Sequence, residues 1–240
     1  MISSEVNNTQ LIEKTNQEII EEYMDHLKEK SFPCVAAHEA AIKNTVRCYV
    51  ADHIACPHND LQILNFLYAF VDEYRTVEEG YHSSAIIFKN PRILSEEMFD
   101  MFLWQRLQAL ADLDATNYPY DSRVSSNTNS PHFSFSLKSE AFYIIGLHES
   151  SSRKARQFKY PTLAFNPHAQ FQKLREDNHY QKMQRIVRSR DVLYSGSVNP
   201  MLADFGTSPE VFQYSGREYE ATWSCPLKLK HADTTDHPST

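Results

Sequence analysis

Two apolar periodicities take turns along this chain, and any fold must bury both. From Gln10 to Lys30, the residues Ile12, Ile19, Ile20, Tyr23 and Leu27 recur at three-and-four spacing between charges, which predicts an amphipathic helix. Phe32-Pro33-Cys34 breaks it. Thr45 to Val50 alternates and is rich in β-branched residues, a strand pattern. Asn59 or Asp60 can cap the next helix, whose stripe is Leu61, Leu64, Leu67, Tyr68, Val71 and Tyr74. Ser84 to Lys89 predicts another strand. Ser95, with Glu96 and Glu97 behind it, then opens a helix that buries Phe99, Phe102, Leu103, Leu107 and Leu110.

Phe133 to Leu137 and Ala141 to Leu147 read as a hairpin or adjacent strands, and Pro161 to Phe165 as a third strand. Asn166-Pro167 has the form of a helix start, with Asn as cap and Pro in the first turn. Two helices are expected there, Pro167 to Glu176 and Tyr180 to Leu193, parted near Asp177-Asn178. The polar stretch Thr116 to Ser130 reads as a surface loop and is the best candidate for a mobile or lid-like segment, and residues 231–240 read as a disordered tail. No domain boundary and no repeat is visible. The expected architecture is therefore a single α+β domain over 1–230, its mixed or antiparallel sheet packed with several helices.

Composition removes several function classes. Apolar residues make up 41% and aromatics 12%, enough for a core without staples. A formal charge of -7 argues against a nucleic-acid surface, which draws its affinity from Lys and Arg. No apolar run approaches the ~20 residues that cross a bilayer, and the polar start Met1-Ile2-Ser3-Ser4-Glu5 has no signal-peptide core. Four scattered cysteines without a C-x-x-C pair suit reduced thiols in a cytoplasmic protein. The five glycines cannot be written into a dinucleotide or phosphate loop. None of the eleven histidines falls into a zinc-type pair, and Ser195 and Ser215 lack the flanking glycine of a nucleophile elbow.

One stretch is richer. An apolar strand delivers His148 to its end, followed by Ser150-Ser151-Ser152-Arg153-Lys154-Ala155-Arg156. Hydroxyls, backbone N–H groups and guanidinium forks of this kind bind carboxylates or phosphates. Twenty residues on, a second apolar strand delivers His168 to a helix's first turn. Imidazole can hold haem iron and Arg can neutralise propionates.

The blocks Gly146-Leu147-His148, Ser151-Ser152-Arg153-Lys154-Ala155-Arg156, Phe165-Asn166-Pro167-His168-Ala169-Gln170-Phe171 and Arg188-Ser189-Arg190-Asp191 resemble the YqcI/YcgG family. The likeness runs on through Gly196-Ser197-Val198-Asn199-Pro200-Met201-Leu202, Gln213-Tyr214-Ser215-Gly216-Arg217 and Trp223-Ser224-Cys225-Pro226. Upstream, Phe32-Pro33-Cys34 also fits. Glu149 departs from the proline expected after the histidine. The resemblance implies a haem-dependent oxygenase that N-hydroxylates a small amine or guanidine, arginine-like, lysine-like or an aminoimidazole, with haem b, O₂ and an electron donor or peroxide. From charge and hydropathy no nucleic-acid or membrane partner is expected, and a homodimer is possible. The axial ligand is expected to be His148 ahead of His168, with Arg153 and Arg156 on the propionates. A cationic substrate would use Asp191 or Glu210. Cys34 and Cys225 are rival ligands, set behind the histidines because neither has a cationic cluster beside it in sequence. A haem sensor or carrier without turnover is the alternative function. A hydrolase using Ser195 or Ser215 is a third.

Overall fold

A computed structural model describes residues 14–77, 80–176, 180–199, 201, 206–220 and 222–230. Helix α1 (Asn16–Lys28) starts where Thr15 Oγ1 accepts the Glu18 N–H and the Glu18 carboxylate accepts the Thr15 N–H, a reciprocal capping box. It buries Ile19, Tyr23 and Leu27, one turn apart. The part of the expected helix from Gln10 to Glu13 lies outside the described residues. Cys34 caps a helix that periodicity did not announce, α2 (Val35–Ile42). Its sequence, Val-Ala-Ala-His-Glu-Ala-Ala-Ile, has too little polar contrast to carry a stripe.

Strand β1 (Val46–His53), α3 (Asp60–Arg75) and β2 (Ser83–Asn90) form a crossover unit with β1 and β2 parallel. In α3 the buried stripe is Ile63, Leu64, Leu67, Phe70 and Val71. Leu61 lies about 120° around the helix from Leu67 and is 62% exposed, so it leaves the expected stripe and Ile63 replaces it. Ser95 caps α4 (Glu96–Asp114) as expected, its Oγ accepting the Met98 N–H at 3.2 Å. Strands β3 (Phe135–Leu137) and β4 (Glu140–Leu147) make a hairpin whose two turn residues, Lys138 and Ser139, have φ of 52° and 54°. Two consecutive positive φ values are what a tight hairpin turn requires.

Strand β5 (Thr162–Pro167) inserts between β2 and β4, antiparallel to both, giving the order β1-β2-β5-β4-β3. Here the expectation at Asn166-Pro167 is corrected. Both residues belong to the strand, and Asn166 Nδ2 donates to the Tyr143 carbonyl instead of capping. Helix α5 (His168–Glu176) begins one residue later, followed by α6 (Tyr180–Ser195) and the short α7 (Val211–Tyr214). The expected break at Asp177-Asn178 and the tail 231–240 lie outside the described residues. The loop expected to be lid-like is tied to the hairpin. Its Tyr120 hydroxyl donates to the Ser134 carbonyl, and the buried Asp121 carboxylate accepts the Ala141 N–H and the Arg123 guanidinium.

Side-chain alternation divides the sheet into two faces. Phe142 and Ile144 of β4, Leu163 and Phe165 of β5, and Ile86 and Phe88 of β2 join α3, α4 and Tyr214 in one apolar cluster. The opposite parity, Leu147, Ala164, Ala85 and Ile87, meets α1, α2 and Phe158 in the other. The sheet with helices on both faces is a single α+β domain. No helix among the described residues is long and apolar enough to cross a membrane.

Candidate functional site

The second face is incompletely filled. Between it and the helices lies a cavity of about 260 Å³, at the small end of ligand sites. Its sheet wall is Tyr143, Ile145 and Leu147 of β4 with Ala164 and Asn166 of β5, all of one parity. Tyr23, Leu27 and Phe32 close it from the α1 side, and Phe171, Met183 and Val187 from α5 and α6. Within this apolar shell sit Cys34, Arg153, Arg156, His168, Asp191 and Glu210.

Five of the six residues singled out in the sequence therefore share one cavity: His168, Arg153, Arg156, Asp191 and Glu210. His148 does not. It is 1% exposed and stacks on Phe99 of α4, ring centroids 4.3 Å apart. Burial pushes its pKa down to about 4, so it is held neutral, and its Nδ1 has no partner among the described residues. The reason is register. Strands β4 and β5 are antiparallel through six paired rows from Phe142↔Pro167 to Leu147↔Thr162. Their ends point in opposite directions, which separates the two histidines by about 20 Å along the ladder at roughly 3.3 Å per residue. Parity then puts them on opposite faces, His148 with Gly146 and His168 with Ala164 and Asn166. Of the two histidines, His168 lines the cavity and His148 does not.

The polar groups are held firmly. Arg153 Nη2 meets Asp191 Oδ2 at 2.6 Å, both side chains 11% exposed, and also donates to the Ser197 carbonyl at 2.8 Å. The Asn199 N–H donates to the same Asp191 oxygen. The other oxygen, Asp191 Oδ1, is buried in the cavity wall with no hydrogen-bond partner among the described residues. Such an acceptor costs about 1–3 kcal/mol or more unless a donor arrives. Arg156 is spent on backbone: it donates to the carbonyls of Gly146, Gln213 and Tyr214, covering the part of β4 that the short β3 leaves unpaired. Burial works against its charge and lowers its pKa, with Arg153 adding to the effect.

Glu210, also buried, accepts from Ser134 Oγ at 3.0 Å and the Tyr214 hydroxyl at 3.3 Å, and its Oε1 lies 3.5 Å from His168 Nε2. Burial, then Glu210, holds the Tyr214 phenol well above its ordinary pKa, so it remains a donor. Tyr143 donates to Gln213 Oε1 beside this group.

Cys34, set behind the histidines in the sequence, also belongs to the cavity. Its Sγ lines the cavity and accepts the Ala37 N–H at 3.5 Å at the start of α2. Burial pushes the thiol pKa up, while the Ala37 and Ala36 N–H groups and Arg156 pull the other way. The fold brings the charge of Arg156 to bear on a thiol whose own sequence neighbourhood has no cationic cluster. Cys225 packs against the α3–α4 cluster, away from the cavity, and burial pushes its pKa up to about 12. Ser195 and Ser215 are not cavity residues either. Ser195 Oγ accepts the Ala155 N–H, and Ser215 pairs with the Tyr219 hydroxyl.

No three His, Cys, Asp or Glu residues cluster as an ion site among the described residues. Haem needs only one or two axial ligands, and the donor set suits it: a thiol and an imidazole on different walls, two guanidiniums and apolar surfaces. No solved structure matches this chain. The chain is 27% identical over 219 residues to the "uncharacterized protein YqcI" of Bacillus subtilis (strain 168), covering 85% of this chain and 84% of that protein. The model of the YqcI/YcgG family matches residues 23–228, and this chain belongs to that family.

Proposed function

We propose that this protein is a haem-dependent oxygenase that hydroxylates a nitrogen of a small amine or guanidine. What carries the reading is Asp191 Oδ1, a buried carboxylate oxygen without a donor among the described residues, in the wall of a largely apolar cavity. A cationic nitrogen supplies the missing N–H and charge together. The family resemblance supplies the chemistry, since haem b, when bound, activates O₂ or peroxide.

The chain's own residues do the rest. Asp191 receives the substrate cation and is oriented by Arg153 and the Asn199 N–H. Glu210 Oε1 and His168 Nε2 face each other at 3.5 Å as an acid–base pair in the cavity wall. Tyr143, Ile145, Leu147 and Phe171 exclude water, which strengthens each of these interactions. Cys34 and His168 are the cavity groups able to ligate iron, and Arg153, already paired with Asp191 and the Ser197 carbonyl, is the guanidinium that would also meet a propionate. The cavity, about 260 Å³ and partly open, suits one small substrate.

A hemin titration followed by incubation with arginine, lysine, simple guanidines and aminoimidazoles tests the proposal. The expected result is one haem per chain and a product heavier by one oxygen. Saturable haem binding with no product and no substrate-induced spectral change would favour the sensor or carrier. No Soret shift at all would remove haem from the account.

A further inference from the structure

We infer that Cys34, as its thiolate, is the axial ligand of the haem iron. The inference rests on the haem reading above and deepens it, because thiolate ligation donates electron density that favours O–O cleavage. The local sequence builds the position. Pro33 stops α1 from continuing, Phe32 is 5% exposed and anchors the turn in the α1–α2 cluster, and Cys34 takes the N-cap of α2. Its sulfur then accepts the Ala37 N–H, at the positive end of an eight-residue helix, with the Arg156 guanidinium nearby. Burial keeps the free thiol protonated, and the amide bond, helix end and cation offset part of that cost, so the geometry prepares the sulfur for iron without ionising it beforehand. On binding, the thiol proton leaves to solvent as the Fe–S bond forms.

The rivals are placed less well. His148 and Cys225 are outside the cavity. His168 lines it, but its Nε2 faces Glu210 Oε1, and Glu210 is itself fixed by Ser134 and Tyr214. Iron at Nε2 would have to displace that carboxylate. Independently of the cysteine, Asp191 Oδ1, without a donor among the described residues, marks the same cavity as a ligand site. Cys34 is on the helical wall and His168 at the end of β5, so thiolate ligation leaves the polar end free for substrate.

The test is the ferrous–CO spectrum of the hemin-loaded protein, for wild type, Cys34→Ser and His168→Ala. Serine is the better N-cap, so Cys34→Ser keeps the turn while removing the sulfur; far-UV circular dichroism and a melting curve check this. Wild type and His168→Ala are expected to show the red-shifted Soret band of thiolate-bound haem. Cys34→Ser is expected to lose that band and to bind hemin more than about 10-fold more weakly. An imidazole-type band in wild type, or an unchanged spectrum in Cys34→Ser, overturns the inference and leaves the haem reading standing. Failure of wild type to bind hemin at all overturns both.

Discussion

Consider replacing Asp191 by Asn. The pair it forms with Arg153 joins α6 to the turn after β4 across the cavity, at 2.6 Å with each side chain 11% exposed. An exposed pair contributes about 0–1 kcal/mol, whereas removing one partner of a buried pair costs about 3–5 kcal/mol, because a charge is left desolvated and unmatched. Arg153 keeps the Ser197 carbonyl, and the amide oxygen of Asn can still accept from Asn199, so the lower end applies: about 3 kcal/mol. In urea at a slope of about 3 kcal/mol/M, the midpoint should fall by about 1 M with the slope unchanged. The double variant Arg153→Met/Asp191→Leu should recover part of the loss, since no charge remains unmatched. A drop under about 0.3 M for Asp191→Asn would show the pair to be screened like a surface pair, and the account of a low-dielectric cavity would fail.

Further outcomes follow from other groups. Gly146→Ala places a Cβ 2.5 Å from Phe99 Cε1 and 2.9 Å from the Tyr214 carbonyl, so it should destabilise by about 1–3 kcal/mol or more in the same urea assay. Tyr214→Phe leaves the buried Phe135 N–H without its acceptor and Glu210 short of one donor; about 1–3 kcal/mol should be lost, read as a lower melting temperature. His148 titrates at about 4 when folded against 6.5 unfolded, so the unfolded chain takes up its proton first as pH falls. Its contribution is complete above pH 6.5 and about 3 kcal/mol is lost on the way down to pH 4; His148→Gln should flatten that slope in denaturation curves across this window.

What was legible in the sequence was whatever depends on local periodicity. The capped helix at Ser95, the hairpin ending at His148 and the strand ending near His168 each carry their signal within a few residues. Helix α2 was hidden because alanines on all sides give no stripe, and Asn166-Pro167 misled because the pair is as much at home ending a strand as starting a helix. The site divides along the same line. Arg153, Arg156, His168, Asp191 and Glu210 were found as chemistry-bearing residues, but their company could not be, because it is set by strand direction. Had β4 and β5 been parallel, His148 and His168 would have ended side by side and one haem could have touched both. Antiparallel pairing carries them to opposite ends, and a one-residue difference in parity carries them to opposite faces. The same long-range geometry brings the charge of Arg156 to bear on Cys34, 122 positions upstream, whose own sequence neighbourhood has no cationic cluster. A cysteine is judged for metal chemistry by its charge environment, and here that environment is a tertiary property. The histidines were conspicuous in the sequence because strands end on them; Cys34 joins the cavity only when the sheet's second face and the α1–α2 layer enclose it together.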